Sequence, residues 1–221
     1  MKVLVVAAHM DDEALGMGGT IAKHADRGDE VHVVFVAGRV YGHAFDERAN
    51  EREKACALEA KELLGYDHAT FLDLPDERLD ACVQDVLIPL ERCYDEVRPD
   101  VLYANFPGDN NQDHRAVFGA VRVLARTIAA HKVGRFLTYE TPSSTEQSPP
   151  LTECAFQPNF YVNIEPYLER KIAAFRCYST EHRAFPHPRS DQALRVLAHK
   201  RGVDGGFSAA EGFVLLRDEW D

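Results

Sequence analysis

Ala8-His9-Met10-Asp11-Asp12-Glu13 sets an imidazole and three carboxylates directly after the apolar run Val3 to Ala7. Charges this close to a buried strand are costly unless they are paired or bind a metal. His9 and Asp12 stand three apart, so in a loop both side chains converge on one point while Asp11 points elsewhere. A second group, Asn111-Gln112-Asp113-His114, follows the apolar stretch Val101 to Ala104. His9, Asp12 and His114 supply two imidazoles and one carboxylate, the donor set of a catalytic zinc with open positions for water, or of a non-haem ferrous iron. A zinc-bound water has a pKa of about 7, and Asp11 is placed to finish deprotonating it for attack on a carbonyl. Asp113 is the candidate acceptor that orients an imidazole. The plainer reading makes Asp11 or Asp12 the cap of a helix starting near Glu13, and His114 an ordinary histidine at a helix start.

Elements that bring these groups together follow from periodicity. Lys2 to Ala7 reads as a buried strand, Ala14 to Arg27 as a helix closed by Gly28, and Glu30 to Ala37 as a second strand, which makes a right-handed βαβ unit. Helices are expected over Glu47 to Leu64, Leu79 to Val97 and Arg115 to His131, with strands at Ala69 to Leu72, Val101 to Ala104 and Arg135 to Tyr139. Thr141 to Pro158, with Pro142, Pro149, Pro150 and Pro158, reads as a loop. Beyond it come an edge strand at Asn159 to Ile164, helices at Pro166 to Tyr178 and Asp191 to Gly202, and a last strand at Gly212 to Leu216. This alternation predicts a Rossmann-like α/β fold, a doubly wound, mostly parallel sheet with helices on both faces. Strand order 3-2-1-4-5 puts the switch point between the first and fourth strands, where the loops carrying His9 and His114 face each other.

With 221 residues at 45% hydrophobic content, the chain suits one large domain over residues 1–221. No apolar run approaches the roughly 18 residues of a membrane span, and Met1 to Ala8 lacks the pattern of a secretory leader, so stable membrane insertion is not expected and a cytoplasmic location is. Cys56, Cys82, Cys93, Cys154 and Cys177 form no CxxC pair and read as reduced thiols in the core. A formal charge of −11 argues against nucleic acid as a partner. The oligomeric state is open, a homo-oligomer included.

His9-Met10-Asp11-Asp12-Glu13, followed by Gly18-Gly19-Thr20-Ile21-Ala22 and then Asp113-His114, resembles the PIG-L/LmbE family of metal-dependent N-acetyl-sugar deacetylases. Likeness extends through Lys171-Ile172-Ala173-Ala174-Phe175, Tyr178, Pro186-His187-Pro188-Arg189-Ser190 and Ala210-Glu211-Gly212-Phe213, nearly the whole chain. It implies that His9, Asp12 and His114 bind zinc, that Asp11 is the general base, and that the substrate is an N-acetylglucosamine-like sugar or glycoconjugate. Two positions depart from the pattern. Met10 replaces the usual proline and removes no ligand; Asn111 stands where many members carry a histidine that protonates the leaving amine or polarises the carbonyl. Asn donates a hydrogen bond but no proton, so Asp11 would have to act as base and then acid, or another residue must serve. By the same resemblance Arg52 and Glu211 approach the sugar, although Arg52 equally suits a solvated helix face.

The same residues admit other readings. Glu140 with Ser143-Ser144 resembles a loop found in members from polysaccharide gene neighbourhoods, or is a plain turn. His182, Arg183, His187 and Arg189 form a local anion patch or a solvated charged surface. The resemblance also takes in hydratases that add water across a carbon–carbon double bond of an unsaturated dicarboxylate. Gly16-Met17-Gly18-Gly19 lacks the third glycine of a dinucleotide fingerprint and is better explained by close helix–sheet packing. A metal-free sugar-binding module is the non-enzymatic alternative.

Overall fold

The computed structural model describes every residue except Gly42 and Asp221, with Tyr41 described in its backbone alone. In chain order the elements are β1 (Lys2–Ala7), α1 (Asp12–Asp26), β2 (Glu30–Gly38), β3 (Val40–Tyr41), β4 (Ala44–Phe45), α2 (Glu47–Leu64), β5 (His68–Pro75), α3 (Val83–Val97), β6 (Val101–Asn105), α4 (Gln112–Leu124), β7 (Arg135–Tyr139), β8 (Phe160–Asn163), α5 (Leu168–Cys177), α6 (Asp191–Gly205) and β9 (Ala210–Asp218). β3 and β4 form a short hairpin beside the main sheet, whose order is β5-β2-β1-β6-β7-β9-β8. Its first five strands are parallel, and β9 runs antiparallel to both β7 and β8. The order expected for the five parallel strands is therefore the one observed, with the switch point between β1 and β6.

β1 shows why the N-terminal run folds as it does. Side chains alternate across a strand, so Val3, Val5 and Ala7 enter the core under α1, α2, α5 and α6, while Leu4 and Val6 enter the one under α3 and α4. A strand covered on both faces needs an apolar residue at every position, hence the unbroken hydrophobic run. Gly16 and Gly19 let α1 approach the sheet closely. A Cβ on Gly16 would meet the Tyr139 ring and come within 2.8 Å of Glu140 O, and one on Gly19 would lie 2.8 Å from Ile164.

α2 and β7 occupy the ranges expected for them. Where boundaries differ, tertiary contacts override local pattern. α3 begins at Val83, not Leu79, because Leu79 N donates to Asp113 Oδ1 at 3.0 Å and draws the preceding residues into a loop across the strand ends. α4 begins at Gln112, three residues before Arg115, because the Asn111 side chain caps it by accepting from Asp113 N at 2.8 Å. It also stops at Leu124, where Arg217 Nη1 takes up the Ala125 carbonyl at 2.7 Å, and Ile128 in the expected continuation is 84% exposed. β5 runs on to Pro75, which carries Asp76 to the site. All five cysteines are free; Cys56 and Cys177 pack half-buried against one core and Cys93 against the other, as expected, whereas Cys82 is exposed and Cys154 is half-buried outside both. No helix among the described residues is long and apolar enough to cross a membrane.

Candidate active site

The loop leaving β1 meets the start of α4 across the switch point. His9 Nδ1 and His114 Nε2 lie 3.2 Å apart. Asp12 Oδ2 lies 3.3 Å from His114 Nε2 and 3.6 Å from His9 Nδ1. Donors held at about 2.1 Å from one tetrahedral ion are about 3.4 Å from each other, so this triangle fits one zinc-sized dication. All three side chains are buried.

Main-chain and side-chain bonds fix each donor. His9 N donates to Asp12 Oδ2 at 2.9 Å, and Asn105 Nδ2, at the end of β6, donates to the same oxygen at 3.1 Å. Asn105 Oδ1 accepts from Ala8 N at 3.0 Å and so latches β6 to the β1 loop. Behind each imidazole stands a carboxylate, the arrangement that orients metal-binding histidines. His9 Nε2 faces Asp76 Oδ1 at 3.1 Å and Asp113 Oδ2 at 3.4 Å. His114 Nδ1 lies 3.2 Å from Asp109 Oδ1. Asp109 is held in turn by hydroxyl donors, Ser144 Oγ and Thr145 Oγ1, the latter at 2.5 Å. Asp113 thus serves His9 and not its neighbour His114.

Titration behaviour follows from this crowding. Burial alone would lower both imidazoles. For His9, hydrogen bonds to Asp113, Asp12 and Asp76 win and hold it well above its ordinary range. For His114, the Asp12 charge and the adjoining Asp109 carboxylate win and push it up to about 9. Asp12 is held well below the usual carboxylate range, since the His114 and His9 contacts outweigh its desolvation. Four carboxylates around two imidazoles make a site whose charge calls for a cation.

Asp11 is the residue immediately N-terminal to α1, yet its side chain caps nothing. Its φ of 116° lies in the region that disfavours a side chain, a strain of the kind that persists at functional sites. Both of its carboxylate oxygens are buried without a hydrogen-bond partner. Arg189 Nη1 stands 3.2 Å from Asp11 Oδ2, donates through Nε to Ser143 Oγ at 2.6 Å, and pairs with Glu181, which also receives Arg39 Nη2 at 2.6 Å. Burial raises the Asp11 carboxyl to about 6, partly offset by Arg189. Glu13, raised by burial to about 8, accepts from Tyr178 Oη at 2.7 Å and from Asp11 N at 3.2 Å, which fixes the strained turn from below. A cleft of about 430 Å³ has Asp76, Asn111 and Asp113 in its wall, and two of these, Asp76 and Asp113, back His9.

The family described as PIG-L, GlcNAc-PI de-N-acetylase, matches residues 4–125, more than half of the chain, including both loops of the triangle. The chain belongs to the PIG-L family. Among PIG-L-like relatives, the uncharacterized deacetylase YaiS of Escherichia coli K12 is 29% identical over 181 residues, 79% of this chain and 88% of its own. Diacetylchitobiose deacetylase of Thermococcus kodakarensis is 26% identical over 224 residues, 96% of this chain and 81% of its own. The crystal structure of a 4-carboxy-2-hydroxymuconate hydratase from Pseudomonas putida KT2440 superposes with a TM-score of 0.77 at 25% identity, covering 100% of this chain and 98% of that one.

Within this PIG-L chain the two residues expected to approach a sugar are placed as follows. Arg52 stands exposed on α2, and the cations that face Asp11 among the described residues are Arg39 and Arg189. On an amphipathic helix, position 52 falls on the solvent side, while its neighbour Glu53 is buried. Glu211 does not face the cleft. Its carboxylate accepts from Gly19 N at 3.0 Å, Thr20 N at 2.7 Å and Lys171 Nζ at 2.6 Å. α1 breaks at Met17, and Glu211 caps the second half that starts there. Glu211→Ala is therefore expected to cost about 3–5 kcal/mol, the penalty for stranding a buried partner charge, measured by urea unfolding. A rise in KM with unchanged stability would return Glu211 to the substrate.

The patch around His182 also resolves differently. His182 pairs with Asp191, Arg183 donates to the Thr180 and His182 carbonyls, and Arg189 turns inward. Glu140 pairs with Arg201, while Ser143 and Ser144 support Arg189 and Asp109. Sequence reasoning missed Asp76, Asn105 and Asp109; each lies at or just past the C-terminal end of a parallel strand, the position where such sheets carry ligand-binding groups.

Proposed function

We propose that His9, Asp12 and His114 hold a divalent ion, zinc by donor type with ferrous iron also suited to the set, and that the protein hydrolyses the N-acetyl group of an N-acetylglucosamine-like sugar or glycoconjugate. One observation carries this reading: a buried donor triangle of ion-binding size with a buried carboxylate, Asp11, beside it that accepts no hydrogen bond. Family membership and the activity named for diacetylchitobiose deacetylase support the substrate class.

When bound, a divalent ion supplies Lewis acidity, polarising an amide carbonyl and acidifying water. Asp11 takes the proton from the attacking water through a carboxylate that accepts no other hydrogen bond. It then delivers that proton to the amide nitrogen as the C–N bond breaks, which releases acetate and the sugar amine. A carboxyl held at about 6 suits both halves of that transfer near neutral pH. Asn111 spends its side-chain oxygen on the α4 cap and has no proton to give, so both proton steps fall to Asp11. Asp76, Asp113 and Asp109 keep the two imidazoles aimed at the triangle's centre.

Acetate and amine release from a panel of N-acetylated sugars tests the proposal, with absorbance loss on unsaturated dicarboxylates as the second arm because one structural relative is a hydratase. Acetate release is the expected result. Turnover of the dicarboxylates alone would move the assignment to hydration.

A further inference from the structure

At the opposite end of the sheet from the triangle, where β2 and β5 begin, Glu30, His32 and His68 share one face. Glu30 and His32 are two apart on β2, and His68 lies directly across the ladder from His32. The two rings stack, with centroids 4.3 Å apart and planes inclined at 26°. Both Nε2 atoms approach the same carboxylate oxygen, Glu30 Oε1, at 2.8 Å from His32 and 3.9 Å from His68. Strand spacing of about 4.8 Å holds the two Cα atoms in place, so the rings need no loop to bring them together.

We propose that Glu30, His32 and His68 form a second metal site, for a borderline transition ion such as Zn²⁺, Ni²⁺ or Cu²⁺. The three donor atoms lie within 4.8 Å of one another, and the two measured separations bracket the about 3.4 Å that a tetrahedral ion requires. Two imidazoles with one carboxylate favour nitrogen-preferring ions over Mg²⁺ or Ca²⁺. His32 is largely covered, its side chain 17% exposed, while His68 is 57% exposed, so one ligand is fixed and the other is reached from solvent. The hydrogen bond from His32 keeps Glu30 below the usual carboxylate range and therefore ionised. Lys2, opposite Glu30 in the ladder to β1, is a nearby cation that also lowers this carboxylate. An ion here clips the edge strand β5 to β2, the two strands whose far ends deliver Asp76 and Arg39 to the catalytic loops. None of the three residues takes part in the proposed hydrolysis.

The test compares the parent protein with His68→Asn after dialysis against micromolar free Zn²⁺, counting ions per chain by elemental analysis. The surface substitution is expected to lower the count by one ion. That difference stands whether or not the catalytic triangle also binds, so failure of the deacetylase reading leaves it intact. Cu²⁺ added to the same pair should give an electron paramagnetic resonance spectrum with coupling to two imidazole nitrogens from this site in the parent, and loss of that signal in His68→Asn and in His32→Asn. Equal ion counts in parent and His68→Asn, or copper spectra unchanged by both substitutions, would overturn the site.

Discussion

Asp11→Asn is expected to retain its metal and lose about 10³-fold in kcat, within the range that a positioned acid–base group contributes. The amide is nearly the same size as the carboxylate, so the strained turn above Glu13 persists, and none of the three donor atoms is touched. What disappears is a buried carboxylate beside the triangle that accepts no hydrogen bond and is held by its ion pair with Arg189. With Asn111 unable to supply a proton, no second group among the described site residues stands ready to replace it. Acetate release and metal content measured on the same preparation decide the matter. Full activity with full metal would remove Asp11 from the chemistry.

His114→Ala should lose both the ion and all measurable turnover. It removes one corner of the triangle and also leaves Asp12 and Asp109, both buried, without the imidazole between them. A lowered unfolding midpoint is therefore expected alongside metal loss, since an uncompensated buried charge costs about 3–5 kcal/mol. Chelating the parent protein should abolish activity as well. Uptake of metal by chelated protein at pH 7 should release protons, because His114, raised to about 9 without metal, must become neutral to bind. The sign follows from the raised pKa. Protonated His114 stabilises the metal-free protein fully below about 6.5, and that contribution is lost as pH rises through about 9, so metal binding tightens over the same interval. Calorimetry in two buffers of different ionisation enthalpy reads the proton count, and a count of zero would contradict the donor assignment.

Much of this site is written locally. The unbroken apolar run of β1 demands cover on both faces, which makes it a central parallel strand, and the residues after it must lie at the strand ends where ligands bind. His9 and Asp12 converge because three residues of loop separate them, and that spacing is visible without any fold. Strand order then brings His114 opposite, as the alternation of elements predicted. The surroundings of Arg52 and Glu211 were not legible for the complementary reason. Their roles rested on distance along the chain from family landmarks, whereas which face of α2 is solvated, and where α1 breaks, depend on packing.

The amino-acid sequence alone determined the donor types, the central strands and their order, because periodicity and short spacing are properties of neighbouring residues. Only the tertiary structure decided that Asp113 backs His9 while Asp109 backs His114, that Arg189 turns in toward Asp11, and that Glu211 caps a broken helix. Those contacts join residues up to 192 positions apart. Each is fixed by sheet register and by the path of a loop across the strand ends, and neither is encoded in the few residues around any one of them.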